Sequence, residues 1–131
     1  MAADEDFECP PDKTVLGRAA WTLMHTTAAY YPDHPSAEQQ ALFLTFYSSL
    51  ARTYPCTKCS FYLVHMLQAD PPKVQSRTEL SQWVCKVHTV VNQFLKREEF
   101  PCTMEALDRR WKTRPRDCPT PLNDPADSKP H

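Results

Sequence analysis

Apolar residues recur at three- and four-residue steps along most of this chain, the spacing that predicts helices with one buried face. Links that contain Pro32, Pro55 and Pro71 interrupt the pattern, because a proline and the residue before it disfavour helix. The predicted helices cover about residues 15–31, 36–54, 56–69, 76–97 and 103–111. The pattern therefore predicts an all-α fold, a four-helix bundle plus a short fifth helix.

Three of these helices begin with a recognisable cap. Ser36 with Gln39 and Ser76 with Glu79 have the spacing of capping boxes, and Thr103 can cap the fifth helix. The helical period then predicts which side chains face inward in the first, second and fourth helices. They are Leu16, Ala19, Ala20, Leu23 and Thr27; Leu42, Phe43, Phe46 and Leu50; and Leu80, Trp83, Val84, Val87, Val91 and Phe94.

Composition narrows the classes of function. The chain has 131 residues, 13 prolines and a single glycine, Gly17. Gly-rich phosphate loops need several glycines, so a conventional dinucleotide fingerprint is excluded. The formal net charge of -1 gives no field for nucleic acid or a membrane surface, and no apolar run has the length of a membrane span. The acidic start argues against a secretory signal and against an Arg-rich transit peptide.

We predict three segments. Residues 1–12 form an acidic arm, residues 13–111 form the helical domain, and residues 112–131 form a Pro-rich tail that is extended or disordered.

Cys56-x-x-Cys59 is the most informative motif, because it falls where the third helix should begin. Unpaired N–H groups and the positive end of the helix dipole favour thiolate over thiol at that position, and Lys58 adds a cation. Thiolates exchange disulfides or bind metal. With Cys85 and His88, the pair has the ligand types of a zinc site in a helical interaction module. A disulfide-stapled scaffold without redox turnover is a third hypothesis.

Two polar stripes lie on helices that are otherwise predicted to be buried. Each occupies one helical face, at positions i, i+3 and i+7. They consist of Arg18, Trp21 and His25, and of Cys85, His88 and Asn92. A single such histidine is more often a core residue, and tryptophans usually pack. Two stripes on facing helices of one bundle instead indicate a cofactor site.

A family resemblance rests on several motifs that occur in one order. They are Leu16-Gly-Arg-Ala-Ala-Trp21, His25-Thr26, Tyr54-Pro-Cys-x-x-Cys59, Trp83-x-Cys85-x-x-His88-x-x-x-Asn92 and Phe100-x-Cys102. Together they resemble the Erv/ALR family of FAD-dependent sulfhydryl oxidases, from about Cys9 to Cys118. The resemblance implies a helical homodimer that oxidises protein dithiols through FAD and passes electrons to O2, giving H2O2, or to cytochrome c. It also implies the mitochondrial intermembrane space.

The resemblance assigns roles to all six cysteines. Cys56 and Cys59 would be the catalytic pair, with Cys56 exchanging with the client and Cys59 facing the flavin. Cys85 and Cys102 would form a structural disulfide within the chain. Cys9 and Cys118 would link two subunits.

The resemblance also implies a set of residues that bind FAD. These are Lys13, Gly17, Arg18, Trp21, His25, Tyr54, Cys85, His88, Asn92, Lys96, Arg97, Arg110 and Trp111. The chain departs from the family pattern at Thr89, where asparagine is usual, and in a slightly longer stretch between Cys102 and Arg110. It also carries no second Cys pair of the kind that shuttles electrons from a client.

Overall fold

The computed structural model describes residues 8–113, 117–119 and 122–123, and this part of the chain contains five α-helices and no strand. The all-α prediction is confirmed. Residues 1–7 of the predicted arm and most of the predicted tail lie outside the described residues. None of the described helices is long and apolar enough to cross a membrane. The helices are α1 (Lys13–Ala29), α2 (Ala37–Thr53), α3 (Thr57–Ala69), α4 (Arg77–Phe94) and α5 (Met104–Trp111).

The predicted caps place the starts of the helices to within a residue or two. Ser36 and Gln39 form a complete capping box, with hydrogen bonds of 2.9 and 3.1 Å. Ser76 accepts a hydrogen bond from the Glu79 N–H at 3.1 Å, but the Glu79 carboxylate accepts from the Ser76 hydroxyl and not from its backbone. The predicted second box is therefore only half formed. Asp12, which the pattern did not single out, caps α1 and starts it earlier than expected.

The α4 helix ends at Phe94, three residues before the predicted end. Lys96 has a positive φ of 56°, and its N–H donates to the Gln93 carbonyl while the Arg97 N–H donates to the Asn92 carbonyl. These two bonds form a Schellman turn, in which the left-handed position is usually glycine. The sequence offers lysine there, so the usual stop signal was missing.

The core is centred on the contact between α1 and α4, with α2 and α3 packed as a second pair and α5 laid against α1 and α4. Large aromatic residues fill it and keep their polar atoms bonded. Tyr31 donates to the Val74 carbonyl at 2.7 Å, and the Trp83 indole donates to the Asp70 carbonyl at 2.9 Å. Bulky rings can therefore be buried in the core without leaving their polar atoms unpaired.

Four residues predicted to face inward are exposed instead, and Ala19 is one of them. Leu23 is 51%, Leu42 63% and Phe94 70% exposed. On α1 the buried stripe is shifted by one residue, to Met24 and Ala28. Phe94 lies in the last turn of α4, where the Tyr62 ring of α3 is 5.6 Å away between centroids and leaves most of the Phe94 side chain uncovered.

Two connections hold α5 in place. The Cys85–Cys102 disulfide ties the chain just before α5 to the middle of α4. The Arg77 guanidinium, at the start of α4, donates to both carboxylate oxygens of Asp108 in α5, at 2.7 and 3.2 Å. It also donates to the Ala29 carbonyl at the end of α1, at 3.3 Å. The short helix is thus fixed at both of its ends.

Candidate functional site

A cavity of about 210 Å³ opens where α1, α4 and α5 meet. One polar stripe predicted from the sequence reaches it from α1 and the other from α4, while α5 covers it. Six of the predicted cofactor residues line this cavity together with two that were not predicted, Thr89 and Phe100. The lining residues are His25, Cys85, His88, Thr89, Asn92, Phe100, Arg110 and Trp111.

Four aromatic rings are layered along one side of the cavity. Trp21 stacks on His88 with centroids 4.1 Å apart, and Trp111 stacks on His25 with centroids 4.5 Å apart. Between the two stacks, His25 Nε2 and His88 Nδ1 lie 2.8 Å apart and share a hydrogen bond. Because the four rings come from α1, α4 and α5, the stack holds three helices in register.

The two histidines are neutral at physiological pH. Burial, together with the nearby charges of His88 and Arg110, lowers the pKa of His25 to about 3. Burial and the charges of Arg97 and Arg110 lower the pKa of His88 to about 4. One ring must therefore donate and the other accept the hydrogen bond between them, as neutral imidazoles can.

Cationic groups lie around the stack and leave it ready for an anionic or electron-rich ligand. The Arg110 guanidinium sits 4.1 Å from the centre of the Trp111 ring, a cation–π contact. Besides burial, the charge of Arg97 lowers the pKa of His88. The indole nitrogen of Trp111 is buried and has no hydrogen-bond partner among the described residues. An unpaired buried donor of this kind is costly unless a bound molecule satisfies it.

The Cys56–Cys59 disulfide lies at the start of α3, where Cys56 is the N-cap residue. The Cys56 sulfur accepts a hydrogen bond from the Cys59 N–H at 3.3 Å. The Ser60 hydroxyl donates to the Ala51 carbonyl at 2.6 Å, which fixes the first turn of α3 against the last turn of α2. A sulfur that receives an N–H at a helix N-terminus is better stabilised as a thiolate.

The remaining predicted cofactor residues lie outside the cavity lining. Gly17 and Tyr54 face each other, since a Cβ built on Gly17 would lie 4.0 Å from the Tyr54 hydroxyl. Lys13 and Arg18 are exposed on α1. Lys96 and Arg97 are exposed in the turn after α4.

The cysteines outside the Cys56–Cys59 pair differ in their surroundings. Cys85 is buried, lines the cavity and is bonded to Cys102, whose sulfur lies 3.8 Å from the Thr89 hydroxyl. Cys9 and Cys118 are exposed free thiols.

The zinc hypothesis is not supported. Cys56 and Cys59 are joined to each other, and Cys85 is joined to Cys102, so three of the four proposed ligands are in disulfides. Residues 8–113, together with the short described stretches beyond them, contain no group of three or more His, Cys, Asp or Glu side chains that could hold a metal ion.

Comparison with known proteins gives a consistent result. The model of the Erv1/Alr family matches residues 18–112. The chain is 41% identical to the FAD-linked sulfhydryl oxidase ERV1 of Arabidopsis thaliana over 102 residues, which are 78% of this chain and 52% of that protein. It is 37% identical to the mitochondrial FAD-linked sulfhydryl oxidase ERV1 of Saccharomyces cerevisiae over 103 residues, 79% of this chain and 53% of that protein.

Solved structures show the same architecture. The yeast Erv1 core superposes with a TM-score of 0.77 at 34% identity, covering 86% of this chain and 95% of that one. The FAD binding domain of Erv1 from Saccharomyces cerevisiae gives a TM-score of 0.74 at 35% identity, covering 79% and 96%. The chain spans about half the length of the curated relatives that it matches.

The two neutral histidines predict a pH dependence of stability. Their pKa values are lower in the folded protein than the ordinary 6.5, so below that pH the unfolded chain binds protons that the folded chain excludes. The free energy of unfolding should fall between about pH 6.5 and 4, by up to about 1 kcal/mol per pH unit for each ring. Urea unfolding at several pH values measures this slope.

The matched variants are His88→Gln and His34→Gln, the latter at an exposed position. His88→Gln should reduce the slope, whereas His34→Gln should leave it unchanged. A His88→Gln protein with the same slope as the parent chain would contradict the buried neutral pair.

Proposed function

The chain belongs to the Erv1/Alr family, and on this premise we propose that it is an FAD-linked sulfhydryl oxidase that makes disulfide bonds in client dithiols through Cys56 and Cys59. The observation that carries the proposal is the Cys56–Cys59 disulfide at the N-cap of α3. An oxidised pair in that position can accept two electrons from a client, and both of the thiolates it releases lie at the positive end of a helix.

The cavity residues fit FAD. Flat aromatic ring systems stack on aromatic side chains, and the cavity presents Trp111 and the two histidines. The Trp111 indole N–H is an unused donor, and Arg110 is a cation beside it. The cavity volume of about 210 Å³ is below the range of roughly 300–1,000 Å³ usual for ligand sites, so it could enclose only part of a dinucleotide.

The other proposed FAD residues come from three parts of the chain. On α1 they are Lys13, Gly17, Arg18 and Trp21, and Tyr54 precedes the redox pair. On α4 and in the turn after it they are Cys85, Asn92, Lys96 and Arg97. We propose that the exposed cations among them contact the phosphates, because ammonium and guanidinium groups both donate charged hydrogen bonds to phosphate. This arrangement needs no glycine loop.

Thiol–disulfide exchange proceeds in two steps, and each step forms one sulfur–sulfur bond and breaks another. A client thiolate attacks the Cys56 sulfur, the Cys56–Cys59 bond breaks, and Cys59 leaves as a thiolate. A second client thiolate attacks the mixed disulfide, which releases the client disulfide and the Cys56 thiolate. The Cys59 N–H, 3.3 Å from the Cys56 sulfur, stabilises that thiolate. FAD, when bound, supplies the oxidising power that returns the dithiol to the disulfide.

The further assignments are proposals of the same kind. The electron acceptor is O2, giving H2O2, or cytochrome c, and the compartment is the mitochondrial intermembrane space. Two fungal relatives are named mitochondrial, which supports the organelle. A homodimer is supported by the exposed leucines of α1 and α2, Leu23 and Leu42, which a second copy could cover. The exposed thiols of Cys9 and Cys118 are accessible to join two subunits.

Cys59→Ser should abolish thiol oxidation and leave FAD bound, since the cavity does not depend on that disulfide. Oxygen uptake with a dithiol substrate measures turnover, and the visible absorption of the protein measures FAD content. Cys118→Ser is the control and should keep the parent rate. A Cys59→Ser protein with full turnover would remove this pair from the mechanism, and a parent protein with bound FAD but no turnover would favour the inert scaffold.

Lys96→Gly should weaken FAD binding and at the same time stabilise the FAD-free protein. Lys96 occupies a left-handed position that suits glycine better by roughly 1 kcal/mol, so the side chain is kept there at a cost to stability. Titration with FAD and urea unfolding of the FAD-free protein measure the two effects. Lys86→Gly, in the middle of α4, should instead destabilise by about 1 kcal/mol. Unchanged FAD affinity in Lys96→Gly would refute a phosphate contact.

A further inference from the structure

The α5 helix is too short to hold its own position. It has eight residues, whereas isolated helices shorter than about 12 residues are marginal in water. Its last two residues are Arg110 and Trp111, which cover the cavity. Any function of these two side chains therefore depends on what fixes α5 to the rest of the bundle.

The start and the end of α5 are fixed by different interactions. The Cys85–Cys102 disulfide precedes the helix, so it leaves the last turn free to move. Leu107, in the middle of α5, is buried, but its apolar contact does not fix the rotation of the last turn. Besides the stacking of Trp111 on His25, the directional restraint on the last turn is the double hydrogen bond from Arg77 to Asp108, at 2.7 and 3.2 Å.

The Arg77 guanidinium can act as a rigid anchor because other parts of the fold also hold it. It donates to the Ala29 carbonyl at 3.3 Å, and its Nε lies 3.5 Å from the Asp33 carboxylate. The Arg77 side chain is 18% exposed and that of Asp108 is 27% exposed, so water competes weakly for the pair. Arg77 and Asp108 are therefore both partly shielded from water, which strengthens the hydrogen bonds between them.

Asp108 and Trp111 lie on one face of α5, because they are three residues apart. Fixing the Asp108 carboxylate therefore fixes the rotation of the last turn and with it the Trp111 ring. That ring is nearly parallel to His25, with an interplanar angle of 3°. The Arg110 guanidinium lies over the Trp111 ring, so its position is fixed together with that ring.

We propose that Arg77 and Asp108 are positioning residues for the cofactor: their double hydrogen bond holds Arg110 and Trp111 closed over the cavity and so slows the escape of FAD. We call this pair the α5 clasp. The proposal rests on the proposed function, because it takes FAD as the bound molecule. Neither Arg77 nor Asp108 belongs to the Cys56–Cys59 pair or to the cavity lining, so the clasp acts on retention and not on thiol exchange.

The test compares FAD dissociation in three variants of the holoprotein. Arg77→Met and Asp108→Asn should each release FAD about tenfold faster than the parent chain, since each removes charged hydrogen bonds. Arg77→Lys should recover part of the effect, because its ammonium group keeps the charge but cannot bond both carboxylate oxygens as the guanidinium fork does. Arg109→Gln is the matched control. It removes an exposed ion pair of the same helix, with Glu105 at 3.5 Å, and should leave the rate unchanged.

A double-mutant cycle with Trp111→Ala separates positioning from general loss of stability. If the clasp acts through Trp111, Arg77→Met should add less than about twofold to the release rate of the Trp111→Ala protein. A full additional tenfold effect in that background would overturn the proposal. So would an unchanged release rate in both Arg77→Met and Asp108→Asn, or an equal increase in Arg109→Gln.

Hydrogen exchange gives a readout that does not need FAD. Backbone amides of residues 106–112 should exchange about tenfold faster in Asp108→Asn, while those of residues 80–87 in α4 keep the parent rate. Unchanged exchange in α5 would overturn the positioning role. If the parent chain binds no FAD, the proposed function fails, yet the exchange result still decides whether the clasp holds α5. If Arg77→Met does not fold, Asp108→Asn carries both measurements.

Discussion

The contact between α1 and α4 is the interaction on which the rest of this structure depends. In its apolar part, Ala28, Leu80 and Val84 are completely buried, and the Ser81 hydroxyl donates to the Ala28 carbonyl at 3.3 Å. Further along the same contact, the apolar side chains give way to His25 and His88. Core and candidate site are therefore two parts of one helix–helix interface, and the small Ala28 lets the helices approach.

This arrangement is linked to the protonation state of His25 and His88. Burial, together with the charges of Arg97 and Arg110, lowers the pKa of both imidazoles, so both rings are neutral near neutral pH. The surrounding cations, which disfavour a charged histidine, are the same groups that favour an anionic cofactor. Neutral histidines between tryptophans thus offer stacking surface and hydrogen bonds without adding a charge that would repel the guanidinium groups.

The Cys56–Cys59 disulfide is built by a separate part of the fold. The α2–α3 pair, joined through Ser60 and Ala51, presents the N-terminus of α3. Cys56 caps that helix in place of the more usual serine or aspartate. The cap hydrogen bond thus runs from the Cys59 N–H to a disulfide sulfur, that of Cys56. A chain with almost no glycine can build such a site because the caps are side chains.

Much of the fold follows from the sequence because the signals are local. Periodicity, prolines and caps such as Ser36 each act within a few residues, so they place the helices. The two polar stripes also identified His25 and His88, because a face of a helix is set by local geometry. By contrast, the early end of α4 was hidden by Lys96 in a position that glycine normally marks.

Other long-range pairings could not be predicted from the sequence. Arg77 and Asp108 are 31 residues apart and carry no local pattern, so their contact appears only once α4 and α5 are packed. Thr89 and Phe100 line the cavity, and their place there was likewise not predicted from the sequence. The exposure of Leu23 and Leu42 depends on which helix faces which, and helical period alone does not fix it.

A visible absorption spectrum of the purified protein, recorded without oxygen before and after a dithiol is added, tests the central claim most directly. The account predicts a flavin band that bleaches with the dithiol and returns when air is admitted. A colourless protein that gains no band from added FAD would contradict it, and so would a flavin band that the dithiol leaves unchanged.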